Sequence, residues 1–417
     1  MGKFWAYLFC SGICLLSNLP QAAFAQAPLV SRHVTVHAAV QSRTLQVGPK
    51  KEFSTIAAAA AIAVSGDTVE IEAGDYIADV ATWRLDHLTL RGVGGPVKLI
   101  AGGKSAEGKA IWVISGKDVL VENIHFSGAK VADRNGAGIR FEHGQLTVRN
   151  CVFLNNENGI LTSNNHEAEL VIENSEFGYG GGSHNLYVGK IKKLSVTGSY
   201  FHHASVKHLL KSRAAESYIY YNRLTDETGG TASYELDLPN GGLAYVVGNI
   251  IQQSSTTQNP TIISYGEEGY IWTRNELYLS YNTIVDDLPG GGRFLYRKSG
   301  ADKLMATNNL LLGYGPFEGS LRANGGAMMS RIPGGKELGL QDLAVVQIQN
   351  NITTGWESFV SASQYDYRIN DSASGQLKVI DLGAESGMPL VPQSQYIHPR
   401  GVKRLPASPL VPGAVQP

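Results

Sequence analysis

An all-β solenoid, a parallel β-helix behind an N-terminal capping helix, follows from three features of the chain. A six-residue motif returns at nearly constant spacing, residues inside it alternate as strands do, and glycine is in excess. Glycine accounts for 48 of 417 residues, well above the usual ~7%, and without the Gly-X-Y period of collagen. The residues are 43% hydrophobic and 17% charged, which suits a large core and excludes a disordered chain. Lys and Arg number 35 against 36 Asp and Glu, so the basic excess of a nucleic-acid binder is missing.

Residues 1–25 read as a secretory signal peptide. Lys3 supplies the positive start, an apolar stretch covers residues 4–16, and Ala23-Phe24-Ala25 is a small-x-small cleavage site before Gln26. Cys10 and Cys14 leave with it, so Cys151 alone remains and no intramolecular disulfide can form. No later segment runs to about 18 consecutive apolar residues. The expectation is an exported protein, periplasmic or secreted, without a membrane span in its mature form. Residues 26–44 form an N-terminal extension.

The alanine-rich run from Phe53 to Val64, stopped by Ser65-Gly-Asp67, predicts one amphipathic helix. Placed at the end of a solenoid, it would cover unpaired strand edges. The repeats follow: Val121-Glu-Asn-Ile-His-Phe126, Val148-Arg-Asn-Cys-Val-Phe153, Ile172-Glu-Asn-Ser-Glu-Phe177 and Val196-Thr-Gly-Ser-Tyr-Phe201. Weaker copies start at Ile219, Val246, Leu279 and Met305. Successive starts differ by 27, 24, 24, 23, 27, 33 and 26 residues, the period of a stacked array. The alternation with Val and Ile leading selects strands over helices. The central Asn or Gly fits a left-handed bend between two strands, and stacked Asn side chains can hydrogen-bond from coil to coil. The β-helix is expected over residues 45–385. The proline-rich tail, residues 386–417, reads as an extended segment lying along the solenoid or a loose terminus.

Three segments carry a family resemblance: Val47-Gly-Pro-Lys-Lys-Glu-Phe-Ser-Thr-Ile56, Ser65-Gly-Asp-Thr-Val-Glu-Ile-Glu-Ala-Gly-Asp-Tyr76 and Leu88-Thr-Leu-Arg-Gly-Val93. Together they resemble the opening of the pectate-lyase-like right-handed parallel β-helix proteins. The resemblance implies a right-handed coil and a protein acting on acidic polysaccharides, as lyase, hydrolase or epimerase. Fold does not carry function, so the site is argued from its residues.

Alternate residues of a strand share a face. With Ile139, Phe141, Leu186, Val188, Leu210, Ser212, Leu236 and Leu238 pointing in, the outward face carries Arg140, Glu142, Tyr187, Lys211, Arg213, Glu235 and Asp237, with His184 and His208 at its start. A 24-residue coil would set Lys211 beside Glu235 and Arg213 beside Asp237. Such a face suits a uronate-containing polymer. β-Elimination needs a base for the C5 proton, a partner for the uronate carboxylate and an acid for the leaving oxygen. Lysine can be the base and arginine the bidentate carboxylate partner, and Tyr187 can donate a proton. Lys211-Ser-Arg213 is similar to the Lys-Ser segment of chondroitinase-B and alginate-lyase-type β-helices, and that resemblance implies the base role for Lys211. The Arg that the family carries one coil later is absent here, where the chain reads Leu236-Asp-Leu-Pro-Asn-Gly-Gly242.

Lys211, Arg213 and Tyr187 are therefore the candidate catalytic residues. Arg140, His184, His208, Tyr234, Glu235 and Asp237 are the candidate substrate contacts. Other readings stand beside this one. The charges can form a solvated ion-pair ladder without function. Glu235 and Asp237 can serve a glycoside hydrolase as an acid/base pair. The chain can be a non-catalytic polysaccharide-binding protein. Calcium held by Asp226, Glu235 and Asp237 is chemically reasonable, whereas zinc on His184, His203 and His208 matches no recognised spacing. Tyrosines crowd the middle coils, together with Trp272, to stack on sugar rings or fill the core. Asp237-Leu-Pro and Asp287-Leu-Pro read as one turn repeated at one corner.

Overall fold

The computed structural model describes residues 42–318, 345–382, 384–385, 388–409 and 411–417. Residues 1–41, which hold the expected signal peptide and most of the expected extension, lie outside these. A single parallel sheet system of 28 strands winds through residues 44–354, and every pairing in it is parallel. One inward ladder runs Leu45, Val69, Leu90, Val121, Val148, Ile172, Val196, Ile219, Val246, Leu279 and Ala306, one residue per coil, and Ile348 continues its register as an exposed residue. The helix Ile56–Ile62 follows the first strand; Thr55 caps it, and it buries Ile56 and Ala59 in the main core. An aromatic column continues the core, with Phe126, Phe153, Phe177 and Phe201 stacked at centroid spacings of 5.0, 4.7 and 4.7 Å.

The motif separates two tasks. Its third position takes the left-handed bend, with positive φ at Asn123, Asn150, Asn174, Gly198, Tyr221, Gly248, Tyr281, Asn308 and Asn350. Its fourth position carries a buried hydrogen-bond ladder. Asn249, Asn282, Asn309 and Asn351 each accept from the Nδ2 of the preceding Asn, the first of which is Asn222, at 3.1, 3.1, 2.9 and 2.7 Å. Ser175 and Ser199 continue the ladder downward, accepting from the backbone of Cys151 and Ser175 at 3.1 Å each. The last repeat therefore starts at Ala306, not Met305, because Asn309 rather than Asn308 stands in the ladder.

The C-terminal segment packs along the coils. Phe359, Tyr367, Ile369, Tyr396, Val411 and Ala414 form one cluster with Tyr200, Ile250, Val285 and Leu310. Leu382 and Leu390 form another with Tyr220, Tyr245, Tyr278 and Tyr281. Neither cluster includes a residue of the third face, which holds the strands Leu186–Val188, Leu210–Ser212, Leu236–Leu238 and Thr261–Tyr265.

Candidate functional site

On that third face the outward residues form their own ladder: Val113, Arg140, Leu161, Tyr187, Lys211, Asp237, Ser264 and Tyr296. The inward neighbours Ile139, Phe141, Leu186, Val188, Leu210, Ser212, Leu236 and Leu238 are all fully buried, so these strands are held rigidly from beneath. The outward positions expected for Arg140, Tyr187, Lys211 and Asp237 are those observed.

The register differs from the expected one. Lys211 faces Asp237, not Glu235. The turn between Thr225 and Leu236 is longer than the turn between His202 and Leu210, so the 24-residue offset fails at this coil. Glu235 is 0% exposed, and neither of its carboxylate oxygens has a hydrogen-bond partner. Its outward placement is thereby overturned: it lies in the core beneath the face. Burial pushes its carboxyl well above the ordinary carboxylate range, with Asp226 and Asp286 adding to the shift.

Lys211, 7% exposed, donates to Asp237 Oδ2 at 2.8 Å and to Glu268 Oε1 at 3.2 Å. Arg213 donates from Nε to the Tyr187 hydroxyl at 3.2 Å and from Nη1 to Asn240 Oδ1 at 2.6 Å. Its two terminal nitrogens grip Glu268 at 2.5 and 2.8 Å. This bidentate pairing, with Lys211 in support, pulls the Glu268 carboxyl down to about 2 against its partial burial. The Tyr187 ring lies 6.0 Å from Lys211 Nζ and 5.9 Å from the Arg213 guanidinium. Trp272 Nε1 donates to the Arg213 carbonyl at 3.2 Å.

The His184 and His208 rings lie tilted against each other at 4.7 Å, and each touches a tyrosine, Tyr187 at 4.8 Å and Tyr234 at 5.0 Å. His208 Nε2 approaches Asp237 Oδ2 at 3.4 Å. Burial, helped by the positive charge of Lys211, holds His184 down at about 3; burial, then His184 and Lys211, hold His208 down at about 2. Tyr234 donates to Glu267 Oε2 at 2.6 Å. Arg140 lies further down the ladder beside Glu142, at 3.3 Å, and Lys109 donates to Glu142 at 2.7 Å. A cleft of about 390 Å³ connects this end to Tyr187, lined by Lys109, Asp133, Asn135, Arg140, Leu161, Asn164 and Tyr187.

Lys211, Arg213, Tyr187, Asp237, His184, His208 and Tyr234 thus gather on one face, with Arg140 at its far end and Glu235 beneath it. Glu267, Glu268 and Asn240 complete the site and were missed from the sequence. They sit in turns outside the strand repeat; the acidic pair flanked by Gly266 and Gly269 was the available signal.

Neither proposed metal set is assembled. Asp226 accepts from the backbone of Ala204 and Ala232, at 2.8 and 2.7 Å. His203 instead neighbours His202 and Tyr179. Among the described residues no group of three or more His, Cys, Asp and Glu side chains is arranged to hold an ion. The two Asp-Leu-Pro segments lie at different corners, since Asp237 pairs with Ser264 within a strand of this face, whereas Asp287 follows the end of another face's strand, Thr283–Asp286, whose Asp286 pairs with Gln253. Of the tyrosines, Tyr218, Tyr245 and Tyr278 stack away from this ladder, on the face that the C-terminal segment joins.

No protein-family model matches the chain, and no curated protein sequence matches it. In fold the chain is similar to a solved structure, the crystal structure of pectate lyase Pel9A, with a TM-score of 0.52 and 12% identity. The alignment covers 84% of this chain and 96% of that one. At this identity the likeness shows the fold alone, a pectate-lyase-like parallel β-helix.

Proposed function

We propose that this β-helix is an exported polysaccharide lyase that cleaves a uronate-containing polymer by β-elimination. The observation that carries the reading is the pairing of Lys211 and Arg213 around a single carboxylate, beside a phenol, on the face the C-terminal segment leaves out. In this reading a substrate uronate takes the place of that carboxylate. Arg213 holds it bidentately and so stabilises the carbanion that forms when C5 loses its proton. Lys211 first passes its own proton to Asp237, to which it donates at 2.8 Å, and as the neutral amine takes the C5 proton. Tyr187, fixed by Arg213, returns one to the leaving oxygen. The cleft toward Lys109 and Arg140 receives the flanking sugars, with Asn135, Asn164 and Asp133 as hydrogen-bonding groups.

The fold of the pectate lyase neighbour supports a polysaccharide substrate in general terms, and the local Lys-Ser resemblance supports the base role. The hydrolase reading loses one of its two carboxylates, since Glu235 is enclosed in the core.

The test is a panel of alginate, pectate, chondroitin and a native exopolysaccharide, read by unsaturated-uronate absorbance and by reducing ends. Both signals together support the lyase. Reducing ends alone give a hydrolase, altered uronate composition with neither gives an epimerase, and binding alone gives a binding protein. Lys211→Arg keeps the cation beside Asp237 but removes the base, and should abolish both signals in a protein that still folds.

A further inference from the structure

Glu268 stands out among the residues of the site because it is the exposed member of a buried arrangement. Its side chain is 45% exposed, while those of Lys211, Arg213 and Asp237 are 9%, 16% and 2% exposed. It therefore lies between solvent and both cations. Without it, the group holds two positive charges and one buried carboxylate. Asp237 is committed to Lys211, so among the described residues the outward fork of Arg213 has only the Asn240 amide and the Tyr187 hydroxyl as other hydrogen-bond partners. A planar fork beside an ammonium matches one carboxylate bound bidentately, and the chain supplies one itself.

We propose that Glu268 is a built-in competitor: its carboxylate fills the slot formed by Lys211, Arg213 and Asn240, and an external uronate carboxylate binds by displacing it. The slot is thus specific for carboxylate ligands, and Glu268 sets how strongly a ligand must bind to enter.

The backbone around Glu268 allows this exchange without unfolding. Glu268 N donates to Pro239 O at 2.9 Å, Gly266 N to Leu238 O at 2.9 Å and Gly269 N to Gly266 O at 2.9 Å. The turn is thereby anchored to the preceding coil, and rotation about the Glu268 side-chain bonds is enough to open the slot. Glu267, next to it, stays tied to Tyr234. A ligand that must wait for the open form has its affinity reduced by the open fraction. A charge-assisted bidentate contact keeps that fraction to a few per cent, so removing the competitor should tighten binding on the order of tenfold or more.

The inference rests on the lyase reading only for the identity of the ligand, and binding can be measured without turnover. Calorimetry on the full chain would compare wild type with Glu268→Ala, using trigalacturonate, trimannuronate and a glucuronate-containing disaccharide, with the trigalacturonate methyl ester as neutral control. The expected result is a roughly tenfold or greater gain for at least one uronate oligomer in Glu268→Ala, none for the ester, and loss of the gain in Glu268→Ala/Arg213→Ala. Glu268→Gln, which keeps the shape without the charge, should fall between. If Glu268→Ala binds no uronate oligomer more tightly than wild type, or gains equally for the ester, the proposal is overturned. A protein that shows the gain yet yields no unsaturated product keeps the slot and loses the lyase reading. One that yields product without the gain does the reverse.

Discussion

Lys211 and Asp237 face each other across adjacent coils, joined at 2.8 Å, with Asp237 only 1% exposed. The pair is a buried one, and its energetics differ from those of a surface bridge. From sequence the charges read as a surface ladder, whose truncation would leave the melting temperature nearly unchanged. The burial changes that. Lys211→Ala leaves a desolvated carboxylate without its cation and should cost about 3–5 kcal/mol. Lys211→Met combined with Asp237→Leu should recover most of this loss. Chemical denaturation of the two single variants and the double variant checks it, and near-additivity would contradict a coupled pair.

Glu235 predicts a loss of stability toward high pH. Its folded-state carboxyl is raised well above the ordinary value of 4.5. Its contribution is therefore complete below that value and is lost as pH rises through the folded-state one. Glu235→Gln should flatten the fall in stability above about pH 4.5 in a stability–pH curve measured by thermal melts, and Glu235→Leu should do so while raising stability near neutrality by about 1–3 kcal/mol. An unchanged slope above that pH in both variants would refute the assignment.

The adjoining His184 and His208 act in the opposite sense. With His184 at about 3 and His208 at about 2, both are neutral when folded. Their contribution is present above the unfolded value near 6.5 and is lost as pH falls through the folded values. Imidazole proton resonances followed by NMR should show neither ring titrating between about pH 5 and 8. A midpoint near 6.5 for either would mean that the ring is solvated.

Positions three and four of the motif should respond differently to mutation. Asn282 accepts from Asn249 N at 2.9 Å and donates to Val246 O at 2.8 Å and to Asn309 Oδ1 at 2.9 Å, all buried. Asn282→Ala strands these groups and should cost roughly 3 kcal/mol. Asn123, whose φ is +60°, should tolerate glycine within about 0.5 kcal/mol, because glycine enters that conformation freely. Urea unfolding of both variants separates the two roles.

The sequence made the coil legible because stacking imposes it residue by residue. Each inward Val, Ile or Phe touches its counterpart one motif away, so apolar identity repeats with the period. Tyr187 and Lys211 could be aligned for the same reason, since 24 residues separate them and they pair. Asp237 was displaced by two residues because turns face solvent and change length without penalty to the core, and a longer turn precedes Leu236. Glu235 marks a separate limit: alternation with Asp237 sets it outward, but it precedes the strand Leu236–Leu238, where alternation no longer holds, and it is buried. Glu268 was not legible, because its turn obeys no repeat and its role depends on reaching across to Arg213.

The C-terminal segment makes the order of assembly matter. Each coil bonds mainly to the coils beside it, so the array can grow stepwise from its N-terminal end. Tyr245, Tyr278, Ile250 and Val285 belong to coils finished long before Leu390, Tyr396 and Val411 are made, yet they depend on those residues for cover. During synthesis, and during any export of the unfolded chain, two strips of aromatic and aliphatic surface therefore face water until the last residues dock. A growing chain in that state is a target for chaperones and prone to self-association. A copy truncated before residue 388 would keep its coils, its cleft and the cover given by Phe359, Tyr367, Ile369 and Leu382, yet would leave bare the parts of both strips that Leu390, Tyr396 and Val411 cover.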